Sequence, residues 1–475
     1  MLPVACTLAL LVPLWYLLSR EFIKGLAYAV FLCVSMPTAL RIQMPGSLPQ
    51  LTIYRLVLIV VFLFWLRHRD PGFKLSGAPL FGLFLFWGLT NLASVLCTTG
   101  DFVASLKRYL DFVVDAALFF FLLSTSLRHR DDALRILRAA WLGVTLVAAL
   151  AFVEKYTGFN PVNYLASAGA EDLDQAGTVF RGDVTATYQH RILLGTGMAM
   201  GWPLAVTLLQ TPAGRSRRRV WLWLSVCLLL AGCYFGNSRG PWLAGALAGA
   251  VIALLAGAAA RRKMAVLLVV ALAVLVLKPG VLQSLTGSVA VTMDDQSFKA
   301  GTFQYRLELW KVAWAEISRS PVTFLVGRGP GSGLNSAVDW KLSYRGGQEM
   351  QISSWDNQLA YDLYQSGMVG FGSSLALYGA VLLMGYRSWR EAGPDERGVR
   401  ACLLAGLVAY VFMLSNVLMF TKPVNFLFWS VAATAYAFGL NPPEREAGEE
   451  EAEAGVEERR TVLDDASSPE MAHHW

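Results

Sequence analysis

The stretch GAPLFGLFLFWGLTNLASVLC (77–97) decides the class of this protein, because it contains no charged side chain. A helix of about 20 apolar residues is long enough to cross the hydrocarbon core of a bilayer. The whole chain has the same character, since 55% of its 475 residues are hydrophobic and only 16% are charged. Soluble domains carry about 25% charged residues. A membrane barrel would show short alternating segments, so the sequence predicts an all-α polytopic membrane protein.

Long apolar segments divide the chain into about 12–13 transmembrane helices. They lie near 2–18, 23–40, 51–66, 77–97, 108–127, 134–153, 189–209, 220–236, 241–260, 264–283, 357–386, 401–421 and 424–440. The first two segments leave the choice between 12 and 13, and the side of the N-terminus, open. Basic clusters follow alternate segments, and the positive-inside rule assigns these clusters to the cytoplasm: Arg67 and Arg69; Arg128 and Arg130; Arg215 and Arg217 to Arg219; Arg261 to Lys263; Arg387, Arg390, Arg397 and Arg400.

This topology divides the chain into six regions. They are N-terminal transmembrane helices (1–154), a first outer loop (155–188), central transmembrane helices (189–283), a large outer loop (284–356), C-terminal transmembrane helices (357–440) and a cytoplasmic tail (441–475). The tail carries 11 acidic residues and three arginines, a net charge of −8 in a chain of net charge +6. Few aromatics accompany these charges, so we predict that the tail is disordered. The positive surplus elsewhere orients the spans and does not indicate nucleic-acid binding.

The polar motifs of the chain all fall on the predicted outer face. They are FRGDVTATYQHR (180–191), NSRGPW (237–242), YRLELWKVAW (305–314), GRGPGSG (327–333) and SSWDNQ (353–358). In NSRGPW, Pro241 suits the first turn of a helix and Ser238 its N-cap. A helix start binds anions, and Arg239 beside it offers a bidentate fork for phosphate. The alternative is that Arg239 extends to the lipid headgroups.

A helix across residues 303–317 is predicted to lie in the membrane interface. Its apolar residues recur on one face, at Phe303, Leu307, Trp310, Trp314 and Ile317, and tryptophans favour the interface. Arg306 lies at the edge of this face, where it either binds a substrate or only anchors the helix.

Three acidic or basic residues near span ends have two interpretations each. His190 is either a general base or an interfacial polar residue. Asp111 and Asp115 either mark an ion path or pair with the nearby Arg108 and Lys107. GRGPGSG is not a phosphate-binding Walker loop, because no Gly-Lys-Ser/Thr follows, so we predict a flexible turn. The six cysteines lack metal-ligand spacing, and the sequence predicts no metal site.

Together these motifs resemble the O-antigen ligase and O-antigen polymerase superfamily, over roughly residues 150–440. The last of them, DNQLAYDLYQSGMVG (356–370), has the family's spacing: a polar pair, nine residues, then Gly-x-x-Gly. The pair is Asp356–Asn357, and the glycines are Gly367 and Gly370. Ligases of this family usually have histidine in place of Asp356, and this difference favours a polymerase.

The resemblance implies a metal-independent glycosyltransferase without a cofactor, on the periplasmic face of the bacterial inner membrane. Its substrate would be an oligosaccharide carried by polyprenyl diphosphate, and its neighbours the bilayer and the flippase and chain-length regulator of the same pathway. The candidate catalytic residues are Asp356, Asn357 and His190. The candidate substrate-binding residues are Arg181, Arg191, Arg239, Arg306, Tyr305 and Trp310, and the structural glycines are Gly240, Gly367 and Gly370.

Two interpretations of the polar pair Asp356–Asn357 and three of the whole protein stay open. Asp356 and Asn357 either orient and deprotonate an acceptor hydroxyl or cap the following helix. The protein is a polymerase of exopolysaccharide or O-antigen repeat units, a ligase that transfers finished glycan to lipid A core or protein, or a transporter of a sugar or lipid. Transporters usually show duplicated halves and broken helices, and the sequence predicts neither.

Overall fold

In the computed structural model, the described residues are 2–42, 51–69, 72–163, 184–211, 218–258, 260–262, 264–266, 298–332, 341–343, 349–351, 355–419 and 422–440. Most of them are helical. The helices are α1 (Leu2–Arg20), α2 (Phe22–Ser35), α3 (Ile53–His68), α4 (Phe81–Leu96), α5 (Phe102–Phe112), α6 (Phe119–Ser126), α7 (Arg130–Thr157), α8 (Arg191–Gln210), α9 (Arg218–Phe235), α10 (Arg239–Leu255), α11 (Phe298–Ile317), α12 (Pro321–Val326), α13 (Gln358–Arg390), α14 (Pro394–Met413) and α15 (Pro423–Leu440).

Short elements complete the description. A π-helical segment, Val113–Leu118, joins α5 to α6 into one apolar span. Single turns of 3₁₀-helix occupy Leu75–Gly77 and Ala186–Tyr188. Two antiparallel hairpins of two or three residues per strand pair β1 (Arg41–Ile42) with β2 (Leu51–Thr52), and β3 (Lys341–Ser343) with β4 (Glu349–Gln351).

The structure confirms the all-α membrane class. Among the described residues, six helices are long and apolar enough to cross a membrane, and four shorter apolar helices accompany them. All the predicted spans except one coincide with helices. The exception, 264–283, lies mostly outside the described residues, as do the predicted tail (441–475) and most of the first outer loop. The domain boundaries therefore stay a prediction.

Buried charges inside the bundle are paired, as their burial requires. Asp111 lies 2.5 Å from an Arg55 guanidinium nitrogen, and Asp115 lies 3.9 Å from Arg55 Nε. The pairing expected for these aspartates is therefore present, but its partner comes from α3 and not from Arg108 or Lys107. At the opposite end of the bundle, Glu396 accepts from Arg130 at 2.8 Å and from the buried Arg400.

The buried residues of helix α11 differ from the apolar stripe that the sequence predicted. Its buried face, which includes Leu309, Val312, Ala313 and Ile317, forms a small core with the start of α13. Leu307 and Trp314 are half exposed, at 49% and 52%. These two residues share a helical face with Ile317 by their spacing, but the protein core covers only the edge of that face where Ile317 lies. Leu307 and Trp314 remain free to contact lipid.

Candidate functional site

Four helices begin around one small region of the structure: α8, α10, α13 and α15. The residues at these starts include Arg191 and Arg239, which open α8 and α10, and Lys422, which precedes α15. A helix N-terminus carries a partial positive charge, so cations there oppose the helix dipole. Three cations at such positions are unfavourable for the helices themselves. An anion bound beside them would offset this unfavourable charge.

Close backbone packing brings the starts of α8 and α10 together. A Cβ on Gly195 of α8 would lie 2.7 Å from the ring of Pro241, and one on Gly236 would lie 2.8 Å from the Arg191 carbonyl oxygen. Pro241 lies in the first turn of α10, as predicted. Ser238 occupies the N-cap position, but its side chain makes no capping hydrogen bond. The predicted cap is therefore wrong, and the first N–H groups of α10 are not capped by this side chain.

Gly240 lies close to the connection that follows α14, and its structural role stays a prediction. A Cβ at this position would lie 3.1 Å from Asn416 Oδ1 and 3.3 Å from Met413 Cε. Both residues belong to the end of α14 and the connection that follows it. The turn containing Arg239 is therefore pressed against the connection that leads to Lys422.

The start of α13 is tied to the same connection. The Gln358 N–H donates to the Leu414 carbonyl at 2.8 Å, and the Met419 N–H donates to Gln358 Oε1 at 2.9 Å. Asn357 is buried and caps α13, because its Oδ1 accepts from the Ala360 N–H at 3.0 Å. The capping interpretation therefore describes Asn357, whose catalytic role stays a prediction without a test.

Arg306 and Asp356 bring the large outer loop to this region. Arg306 Nε donates to the Asp356 backbone carbonyl at 3.2 Å. The charge of Arg306 is also within electrostatic reach of the Asp356 carboxylate, Arg191 and Arg239. Partial burial and these two arginines together lower the pKa of Arg306, against the opposing effect of Asp356. A cation among cations is stabilised when an anion binds beside it.

His190 completes the cluster. Its Nδ1 is buried and has no hydrogen-bond partner in the described part of the chain. Burial, with smaller contributions from Lys422, Arg191 and Arg306, lowers the pKa of His190 to about 4, against the opposing effect of the Asp356 carboxylate. The imidazole is therefore neutral at neutral pH and is available to accept a proton. We call Arg191, Arg239, Arg306 and Lys422, with His190 and Asp356, the cation cluster.

The turns that lead into the cluster have unusual backbone conformations. Four described residues other than glycine have positive φ, and three of them lie in these turns: Ala186 (46°), Gln189 (57°) and Asn237 (43°). Such conformations cost free energy and occur often at functional sites. They give an indication of function that is independent of charge.

Gly367 breaks α13 and is held by a second glycine. Its φ of 61° and ψ of −167° lie in a region that only glycine readily occupies. Gly327, at the end of α12, has φ 78° and ψ −164°. A Cβ on either glycine would lie 2.5 Å from the backbone nitrogen of the other. Gly367 therefore packs closely against the backbone at Gly327, and α13 is broken at a point where the sequence indicated no break.

The GRGPG loop fills the gap that the break opens. The Arg328 N–H donates to the Tyr364 carbonyl at 3.1 Å, and the Gly329 N–H donates to the Gln365 carbonyl at 2.9 Å. These carbonyls lack their usual helical donors because of the turn at Gly367. The Arg328 guanidinium also pairs with the buried Glu316 of α11 at 2.6 Å. The loop is thus a structural connector and not the flexible turn that the glycines predicted.

The roles of the remaining candidate residues stay predictions. A Cβ on Gly370 would meet the side chain of Ser366, 2.3 Å away in the same helix, and would lie 4.0 Å from Thr90 Oγ1 of α4, so the structural role of Gly370 stays a prediction. Tyr305 is buried in the small core, and Trp310 packs edge-on against Phe371, with ring centroids 5.9 Å apart. Glycan contact by these aromatics stays a prediction. Arg181 lies outside the described residues.

The sequence missed two residues of this region. The predicted spans leave Lys422 in a two-residue connection, yet its charge interacts with His190. Glu154 lies at the end of a span, where an acid normally faces water, yet it binds backbone N–H groups of the loop that precedes His190. A lysine in so short an outer connection was the one available signal, since such connections are usually poor in cations.

One segment of the chain is similar to a known protein family. Residues 224–375 match the family model described as O-antigen ligase. The matched segment is about a third of the chain and contains Arg239, Arg306, Asp356 and the Gly327–Gly367 contact. The match confirms the resemblance to the O-antigen ligase and O-antigen polymerase superfamily, whose members are glycosyltransferase-like membrane enzymes. The chain is thus an all-α polytopic membrane protein that contains a segment similar to this family. No curated protein matches it.

Proposed function

We propose that this protein polymerises oligosaccharide repeat units carried on polyprenyl diphosphate, at the periplasmic face of the inner membrane. The observation that carries the proposal is the cation cluster, in which His190 interacts electrostatically with Asp356 and three of the cations, and Arg306 with Asp356, Arg191 and Arg239. A diphosphate is the anion that such a cluster suits best, because it spreads its charge over several oxygens. The N-termini of α8 and α10 add their dipoles to the same site.

The proposed reaction is a glycosyl transfer. The hydroxyl oxygen of an acceptor sugar attacks the anomeric carbon of the donor, and the bond between this carbon and the diphosphate oxygen breaks. The leaving polyprenyl diphosphate keeps the electron pair, and the cluster stabilises its charge. The hydroxyl proton passes to His190 or to the Asp356 carboxylate. The cations would serve the role that a metal ion serves elsewhere, so metal independence belongs to this proposal.

The polymerase is preferred to a ligase on the strength of Asp356. The resemblance places a histidine at this position in ligases, and the structure supplies His190 from a different element. A ligase in which His190 replaces the missing histidine is therefore the second candidate. Broken helices such as α13 are typical of transporters, which favours the transporter hypothesis. However, that hypothesis offers no role for a carboxylate and an imidazole among four cations.

A deletion strain separates the two enzymes. We expect single repeat units to accumulate on the lipid carrier when the gene is removed, because chain growth stops at its first step. Long chains that stay on the carrier would instead identify a ligase. Glycan of normal length, correctly delivered, would contradict both.

The pH dependence of transfer tests the state of His190. Because burial lowers the pKa of His190 to about 4, the base should be unprotonated above this pH. We expect kcat/KM to stay level from about pH 8 to 5 and to fall only as pH approaches 4. A bound diphosphate adds negative charge beside the imidazole and should raise its pKa, so the acid limb of kcat should lie at a higher pH. The measurement is the initial rate of elongation by purified protein.

The control for this profile is His190→Gln, whose residual rate should lack the acid limb. An acid limb of kcat/KM near 6.5, the ordinary pKa of histidine, would contradict the buried, neutral imidazole. An unchanged limb in His190→Gln would assign the proton transfer to another group.

A further inference from the structure

The loop that carries His190 and Arg191 into the cluster is held by one carboxylate. This loop (184–190) contains the 3₁₀ turn and the two strained residues, Ala186 and Gln189. Glu154, near the end of α7, accepts the Ala186 N–H at 2.7 Å and the Thr185 N–H at 3.1 Å, both with Oε2. A single carboxylate oxygen thus fixes two successive N–H groups at the strained point of the loop.

Asn160 adds further hydrogen bonds, and we call the side chains of Glu154 and Asn160 together the clamp. Asn160 Nδ2 donates to Glu154 Oε1 at 3.0 Å and to the Ala186 carbonyl at 3.3 Å. Asn160 is buried, and its Oδ1 accepts the Val162 N–H at 2.9 Å. Both oxygens of Glu154 are therefore committed to holding the chain, and the described residues contain no cation paired with this carboxylate. Hydrogen bonds to an ionised acceptor are stronger than neutral ones, which suits a strained loop.

Contacts of Tyr188 and Gln189 also restrict the position of the loop. Thr38 donates a hydrogen bond to the side chain of Gln189, and the ring of Tyr188 lies against Gly197 of α8, where a Cβ would be 2.4 Å away. The side chains of residues 187, 188 and 190 each contain a buried polar atom without a hydrogen-bond partner among the described residues. A small displacement of the loop would admit water to all three and move His190 away from Asp356.

We propose that Glu154 is a positioning residue of the transfer reaction, which fixes the 184–190 loop and thereby sets His190 and Arg191 against the bound donor. This inference rests on the proposed function for its catalytic consequence. Its structural consequence, the fixed position of the 184–190 loop, rests only on the hydrogen bonds of Glu154. The two consequences are measured separately.

Hydrogen exchange of the 184–190 segment tests the clamp without any substrate. In Glu154→Ala, the Thr185 and Ala186 amides lose their carboxylate acceptor. We therefore expect their exchange to be about tenfold faster or more. Glu154→Gln keeps one acceptor oxygen but turns an NH₂ group towards Asn160, so a smaller increase is expected. Glu21→Ala removes an exposed carboxylate at the opposite end of α7 and should leave this segment unchanged.

The titration of His190 distinguishes positioning from general loosening. Its rate of carbethoxylation, followed on the His190 peptide, reports the neutral imidazole at each pH. The groups that face His190 are Asp356 from the start of α13, Lys422 before α15, Arg191 on α8 and Arg306 on α11. In the wild type the midpoint should lie near pH 4. In Glu154→Ala it should move towards 6.5 as the ring becomes hydrated, and elongation should slow about tenfold or more.

Each result decides the inference. Faster exchange, a raised His190 midpoint and slower elongation in monodisperse Glu154→Ala, with a partial effect in Glu154→Gln, would support it. Unchanged exchange, or faster exchange with unchanged His190 titration and rate, would overturn it. If the wild-type protein transfers no sugar, the proposed function fails, and the exchange and titration data still decide whether Glu154 positions His190.

Discussion

Replacing Arg306 with alanine should lower the rate of elongation roughly 10²–10³-fold, the usual loss when one group that stabilises a developing negative charge is removed. Arg306 is the cation of the cluster that comes from the large outer loop, and its Nε also holds the Asp356 carbonyl. The variant therefore loses a charge beside the leaving diphosphate and the contact that orients Asp356. In cells we expect short carrier-linked glycans at a normal level of the protein.

Two further variants make this test specific. Arg306→Lys keeps the charge but not the planar fork, so it should recover only part of the rate. Lys311→Ala, on the same helix, removes an exposed cation whose partner is Glu308, 2.6 Å away. Exposed pairs of this kind contribute little, and the variant should elongate normally. If Arg306→Ala elongates as well as Lys311→Ala, the cation cluster is not the site of transfer.

Replacing Gly367 with alanine should destabilise the folded protein by about 3 kcal/mol or more. The backbone region of Gly367 costs about 1–3 kcal/mol for any other residue, and overlap adds to this cost. The new Cβ would lie 2.5 Å from Gly327 N and 2.6 Å from the Leu325 carbonyl. Neither neighbour is a side chain that can rotate away. The measurement is the thermal midpoint of purified protein, with the monodisperse fraction after extraction.

Gly379→Ala is the matched control for this variant. Gly379 lies on the same helix, and no atom comes within 4 Å of its added Cβ. Alanine favours a helix over glycine by up to about 1 kcal/mol, so this variant should be as stable as the wild type or slightly more so. Equal thermal midpoints for Gly367→Ala and Gly379→Ala would contradict the Gly327–Gly367 contact as a lock on the broken helix.

The membrane helices were predictable because apolar length alone identifies a span. The break in α13 was not, because a glycine within a helical segment does not by itself indicate a break, and Gly327, which packs against it, lies 40 residues away along the chain. The partial burial of the apolar face of α11 was unpredictable for a related reason. Periodicity shows which residues share a face but not whether protein or lipid covers it.

The site was predictable in part. Arg191, Arg239, Arg306, His190 and Asp356 all carried a local signal: a charge in an outer connection or beside a helix start. Their convergence depends on packing at Gly195, Gly236 and Gly240, which no local pattern reveals. Glu154 was unpredictable because its partners are backbone N–H groups, which every loop contains.

The central claim is that the cation cluster transfers sugar from polyprenyl diphosphate to a second carrier-linked repeat unit. The most direct test reconstitutes the purified protein in lipid nanodiscs with the carrier-linked repeat unit as the only donor and acceptor. A ladder of carrier-linked oligomers, with one polyprenyl diphosphate released per bond formed and no ladder with Arg306→Ala, is the predicted result. Carrier-linked single units that remain unchanged until a separate lipid or protein acceptor is added would contradict polymerisation.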